Sequence, residues 1–167
     1  MEKSAGIIVV GVDGEMPGDD ALRFAVDEAG RTGDGLEVVT AWSTESPKVT
    51  AYLSLTEWPT TDQLEQAADQ RQQDCLTRVF ADEPTVTIAS RVTRGEAGPV
   101  LVEASRHARM LVVGSRALGP IQAAILGSVS RYCAQHARCP VVVVPSAPVE
   151  PVESEDLALA PAPAPNQ

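Results

Sequence analysis

Between Met110 and Pro145 the chain reads MLVVGSRALGPIQAAILGSVSRYCAQHARCPVVVVP, and its glycines and hydroxyl residues stand where they can meet a phosphate. Gly127, Ser128, Val129 and Ser130 mark the start of a helical pattern, with Val129, Tyr132, Cys133 and Ala137 on one face. A helix N-terminus presents N–H groups with no intrahelical acceptor and a partial positive charge, both suited to an anion. Gly114 and Gly127 let backbone come close to a ligand with no Cβ between, and Ser128 and Ser130 add hydroxyl donors. Arg116 is placed either to meet a phosphate or to sit in solvent as a loop arginine. Taken singly, Gly127-Ser128 is a helix cap and Gly114 a turn. The arrangement of strand, glycine loop and helix is what points to phosphate.

A second chemical group closes the first strand. Ala5 to Val12 is a near-continuous apolar run, and it ends in Gly11-Val12-Asp13-Gly14. A carboxylate just past the carboxyl end of a central parallel strand lies where open α/β sheets bind ligands. Asp13 there can accept hydrogen bonds from a ribose or an adenine, or serve as an ordinary turn aspartate before glycine. Cys133, His136 and Cys139 lie at three-residue steps, but three ligands with Cys139 past the helix end do not make a zinc site. The chain has no GxSxG, no GxxxxGK[ST] and no GxGxxG. No catalytic residue and no metal ligand set is assigned.

The elements that must position these groups alternate between strand and helix. Asp19 caps a first helix with Ala21, Leu22, Ala25, Val26 and Ala29 inward, and Gly30 and Gly33 mark its end. Leu36 to Trp42 reads as the second strand. Ser43 to Thr60 is irregular, a candidate lid with Trp58 in it. Thr60, Asp62, Gln63 and Glu65 give capping-box spacings before a long helix to about Phe80, whose stripe is Leu64, Ala68, Cys75 and Val79. Thr85 to Val92 alternates as a one-sided edge strand should. Gly95 to Pro99 leads into a third helix with Val100, Leu101, Ala104 and Ala108 inward. Met110 to Val113 and Val141 to Val144 complete the strands, and the last helix carries Arg138 in its final turn. Such alternation implies a parallel sheet wrapped by helices on both faces.

Composition sets the outer bounds. The chain's 167 residues suffice for one domain with a real core. A formal net charge of −10 argues against nucleic acid and anionic membrane as partners. Aromatics at 4% leave little to stack on single-stranded bases. No run is long and apolar enough to span a bilayer, and MEKSAG lacks a secretory core, so a cytoplasmic location is expected. Three cysteines without a CxxC fit reduced thiols there. Residues 146–167 are acidic and rich in proline and alanine, an expected disordered tail, with Leu157 and Leu159 as the sticky points of an alternative docking segment.

The glycine stretch resembles the nucleotide-binding segment of the universal stress protein family, in its ATP-binding branch. That pattern is glycine, two residues, glycine, nine residues, glycine, then serine or threonine, and here it runs through Gly114, Gly127 and Ser128. Ala117 takes the middle position and Gly119 lies two residues on; Glu15 stands where the family commonly has serine. VGVDG and GSVSRYCAQHARCPVVVV are the phrases closest to the family. The resemblance implies one domain over residues 4–145, an open-twisted five-stranded parallel sheet of order 3-2-1-4-5, and an adenine nucleotide alpha hydrolase-like fold. It implies a nucleotide between strands 1 and 4, with Gly11, Val12 and Asp13 at the nucleoside and Ala41 as one wall of the adenine pocket. Gly114, Ser115, Arg116, Gly119, Gly127, Ser128, Val129 and Ser130 would then wrap the phosphates. ATP is the expected ligand, AMP and ADP its alternatives, and magnesium its companion ion. The implied protein is a stress-response regulator without efficient catalysis, a homodimer through strand 141–144, and open to an unknown protein partner. Two readings stay beside it: a dimeric scaffold that binds no nucleotide because of Ala117, and a slow ATPase.

Overall fold

The computed structural model describes residues 6–15, 19–44, 59–80, 86–115 and 126–145. The expected lid segment from residue 45 to Trp58, the loop carrying Arg116, Ala117 and Gly119, and the tail lie outside the described residues.

Strands and helices alternate as the sequence requires: β1 Ile7–Gly11, α1 Asp19–Thr32, β2 Gly35–Trp42, α2 Thr61–Val79, β3 Ile88–Arg94, α3 Ala97–Ala104, β4 Met110–Gly114, α4 Ser128–His136 and β5 Val141–Val144. The five strands form one sheet in the order β3-β2-β1-β4-β5, and every pairing is parallel. Central strands need apolar residues on both faces. Ile8, Val9 and Val10 of β1 and Leu111, Val112 and Val113 of β4 are accordingly buried. Ile8, Val10, Leu36, Val38 and Val112 meet α1 and α2 on one face; Val9, Val39, Leu111 and Val113 meet α3 and α4 on the other.

The helices follow their apolar stripes with some corrections. α1 buries Ala21, Leu22, Ala25 and Ala29 as expected. Asp19, however, does not cap it: the residue lies in the first turn, 2% exposed, and its carboxylate turns away to α2. Burial alone would raise that carboxyl, but hydrogen bonds from Arg78 and Cys75 and the Arg78 charge outweigh it and hold the group below its ordinary value. α2 begins with the full capping box: Gln63 N–H donates to Thr60 Oγ1 and Thr60 N–H to Gln63 Oε1. Its buried stripe is Ala68, Gln72 and Cys75, with Leu64 and Val79 only half-buried. Gln72 is the surprise, since a buried amide is costly unless paired. Its Nε2 donates to Thr40 Oγ1, Val38 O and Arg91 O, which ties β2 to edge strand β3.

β3 starts at Ile88 and runs to Arg94, later than the expected span, while Thr85 lies outside the described residues. α4 ends at His136 because Ala137 is already extended at φ −66° and ψ 149°, so Arg138 lies beyond the helix. Gly98 is buried inside α3 against the Tyr132 ring of α4; a Cβ there would meet Tyr132 Cδ1 at 2.6 Å. β5 is an edge strand as expected, but its four valines are half-buried and not fully covered. Among the described residues no helix is long and apolar enough to cross a membrane.

Candidate functional site

The chain runs outward from β1 to β2 and β3, then crosses back to β4 and β5 on β1's other side. The connections leaving the carboxyl ends of β1 and β4 therefore diverge, and a crevice opens between them. It has an open volume of about 120 Å³. Gly11, Val12 and Asp13 from the end of β1, Ala41 from β2, Gly114 from β4, and Gly127 to Ser130 from the start of α4 all line it. Each of these is among the candidate residues of the sequence.

Each lining residue is set by its element. The Val12 N–H donates to Val39 O at 3.0 Å, carrying the β1–β2 pairing one residue past the strand. Leu101 of α3 packs over Gly11, where an added Cβ would meet Leu101 Cδ1 at 2.6 Å. Leu101 with Ala97, Val39 and Val113 makes the crevice wall apolar, a surface suited to a flat base. These four were missed in the sequence because helix and strand core residues look alike whether or not a crevice opens beside them. Glu15 also lines the crevice, and its N–H donates to Asp13 Oδ1 at 3.2 Å, closing a turn on the Asp13 side chain.

On the opposite wall α4 is capped by Gly127 at φ −59° and ψ 161°, with no side-chain cap. Helix geometry leaves the N–H groups of this first turn without intrahelical acceptors, and they open toward the crevice lined by Gly127, Ser128 and Val129. Ser128 is exposed, whereas Ser130 is buried and its hydroxyl donates to Gly127 O at 3.4 Å. Ser115 does not line the crevice. Its N–H donates to Val144 O at 2.8 Å and its carbonyl accepts from Gly127 N–H at 3.2 Å, so its backbone joins the ends of β4 and β5 to the head of α4. Arg116 and Gly119 lie outside the described residues.

The cysteine–histidine run does not converge. Cys133 is buried in the core, its thiol pushed up to about 11 by that burial, while exposed His136 stacks on Tyr132 with ring centroids 4.1 Å apart. Among the described residues no group of three or more His, Cys, Asp or Glu side chains is placed to hold a metal ion.

Residues 5–145 match the Universal stress protein family. A universal stress protein of Mycobacterium tuberculosis strain H37Rv is 34% identical over 145 residues, covering 87% of this chain and 50% of its own length. The chain thus spans about half the length of the curated relatives it matches. Among solved structures, the universal stress protein UspA from Lactobacillus plantarum superposes with a TM-score of 0.64 at 18% identity, covering 86% of this chain and 99% of its own. A universal stress protein in complex with cAMP gives 0.55 at 23% identity, over 87% of this chain and 100% of that one. The Archaeoglobus fulgidus universal stress protein in complex with dAMP gives 0.50 at 17% identity, over 84% and 97%.

Proposed function

The chain belongs to the universal stress protein family, and from that premise we propose that it binds an adenine nucleotide, ATP foremost and AMP or ADP in its place, in the crevice between β1 and β4. The observation that supports the reading is that the α4 N-terminus and Asp13 line one crevice with an apolar wall. Such a crevice separates the three parts of a nucleotide. The base lies against Leu101, Ala97 and Ala41; Asp13 accepts from ribose hydroxyls; the first-turn N–H groups of α4 and the Ser128 hydroxyl receive phosphate. The solved relatives named with cAMP and with dAMP support an adenine ligand for the fold. Magnesium prefers hard oxygen ligands, and Asp13 and Glu15 are the carboxylates at hand to share it with a polyphosphate.

The protein acts as a nucleotide-dependent regulator in stress adaptation, in the cytoplasm, and not as an efficient enzyme. A scaffold that binds no nucleotide is the second reading; Ala117 in the glycine pattern favours it, together with Glu15 on the crevice wall. Titration calorimetry with ATP on the wild type and on Ala117→Gly separates the two. Heat of binding with the wild type supports the nucleotide reading. Binding by Ala117→Gly alone means the site has lapsed in this protein, and binding by neither moves the conclusion to the scaffold.

Assembly through β5 is part of the same reading. β5 has β4 on one side only, and a short, wholly apolar edge invites a second copy. Light scattering at micromolar concentration is expected to report a dimer, and Val142→Lys to shift it toward monomer. A monomeric wild type would sink this assembly.

A further inference from the structure

Asp13 is only as useful as the turn that aims it, and that turn is held from outside the crevice. Gly14 stands at φ 78° between Asp13 and Glu15, both of which line the crevice. A Cβ on Gly14 would meet Arg71 Cβ at 2.4 Å and Arg71 O at 2.8 Å, so α2 presses directly on the turn. One helical turn pair further along α2, Arg78 Nη2 donates to the Gly14 carbonyl at 3.1 Å. The same guanidinium grips Asp19 twice, Nε to Oδ2 at 2.8 Å and Nη2 to Oδ1 at 3.0 Å. Asp19 is buried at the head of α1, where the Cys75 thiol also donates to its Oδ1 at 3.1 Å. A planar fork can serve a carboxylate and a carbonyl at once, which a lysine ammonium on a flexible stem does less well.

We propose that Arg78 is a positioning residue for ligand binding, locked by Asp19 so that its hydrogen bond to the Gly14 carbonyl fixes the Asp13–Glu15 turn. This rests on the nucleotide reading for its consequence, though not for the contact itself. Arg78 touches no ligand; it acts through Gly14. The lock also ties α1, α2 and the β1 turn at one point, so a change in the turn is felt at α2, fifty-nine residues from Asp19 in sequence at Arg78.

Arg78→Lys tests it, because lysine keeps the charge beside Asp19 and surrenders the second contact. Val79→Ala, which trims a half-buried side chain of α2 outside the lock, is the comparison for plain loss of stability. In ligand-free protein, amide exchange of Glu15 by NMR is expected to quicken about tenfold in Arg78→Lys and not in Val79→Ala. ATP affinity is expected to fall about tenfold in Arg78→Lys, with melting no lower than that of Val79→Ala. Unchanged Glu15 exchange in Arg78→Lys overturns the proposal, as does quickened exchange with unaltered ATP affinity. Equal affinity losses in the two variants overturn it as well. If the wild type binds no ATP, the nucleotide reading fails by that result, and Glu15 exchange alone decides whether Arg78 holds the turn.

Discussion

Gly114→Val is expected to give a protein that melts with the wild type and binds ATP at least about a hundredfold more weakly, a loss near 3 kcal/mol. Gly114 ends β4 at the crevice wall, and a Cβ built on it meets no described atom within 4 Å. Its φ lies outside the left-handed region, so the backbone accepts any residue, and valine suits a strand end. The branched side chain therefore enters space that no described atom fills and that the proposed ligand would use. Other glycines nearby are poorer probes: a side chain at Gly11 strikes core Leu101, and one at Gly14 strikes α2, so both confound binding with folding. Calorimetry paired with thermal melting reads the two effects separately. Full affinity in Gly114→Val would mean that the nucleotide does not pass over the end of β4, and the crevice would lose its assignment.

The second large effect lies at the other end of the sheet. Asp34→Ala is expected to lower stability by about 2 kcal/mol, a melting shift of roughly 6 °C for a domain of this size. The Asp34 side chain is 1% exposed. Its Oδ1 accepts from Gly6 N–H at 2.7 Å just before β1, and its Oδ2 from the Thr32 hydroxyl at 2.7 Å at the end of α1. Arg109, immediately before β4, adds its Nε at 3.2 Å. Alanine takes the acceptor from the part-buried Gly6 N–H, whereas the Thr32 hydroxyl can turn to Glu28 O at 2.9 Å, so the Gly6 N–H carries most of the cost. The Arg109 side chain is 36% exposed and is rehydrated when its partner is removed, so this ion pair adds at most about 1 kcal/mol. Asp34→Asn, which keeps an acceptor oxygen, should cost less. ATP affinity should survive in both, since the crevice lies at the opposite strand ends. A melting shift under about 2 °C for Asp34→Ala would show that the cluster contributes little.

What could be read from the sequence was whatever the chain decides locally. β1, β4 and β5 are short apolar runs bounded by glycine, proline or charge, and no partner is needed to recognise them. The capping box at Thr60 and Gln63 spans three residues and formed as its spacing required. The glycine pattern put Gly114 at a strand end and Gly127 at a helix start, both read from local sequence, and both line the crevice. The misses share a different cause. Asp19 looks like an N-cap until Arg78, far along the chain, claims its carboxylate. Gln72 looks like a surface residue until Val38, Thr40 and Arg91 converge on its amide. In each case a tertiary partner chose between two locally acceptable states, and nothing nearby in the sequence announces that partner.

The pairing of β1 with β4 also governs when the site can exist. Ile8 lies opposite Met110, so the two strands that frame the crevice are joined by about a hundred intervening residues. Local helices and the β1–β2 neighbours can form early, but closing a loop of that length comes late and slowly. During synthesis the first half of the chain can therefore compact around α1 and α2 while Asp13 has no β4 or α4 beside it. On the proposed nucleotide reading, a nucleotide would have affinity for the finished sheet and none for the half-built one, which would make it a selective stabiliser of completed chains. Between those two moments the flank of β1 that awaits β4 is an open strand edge, the point at which a nascent chain is exposed to wrong pairing.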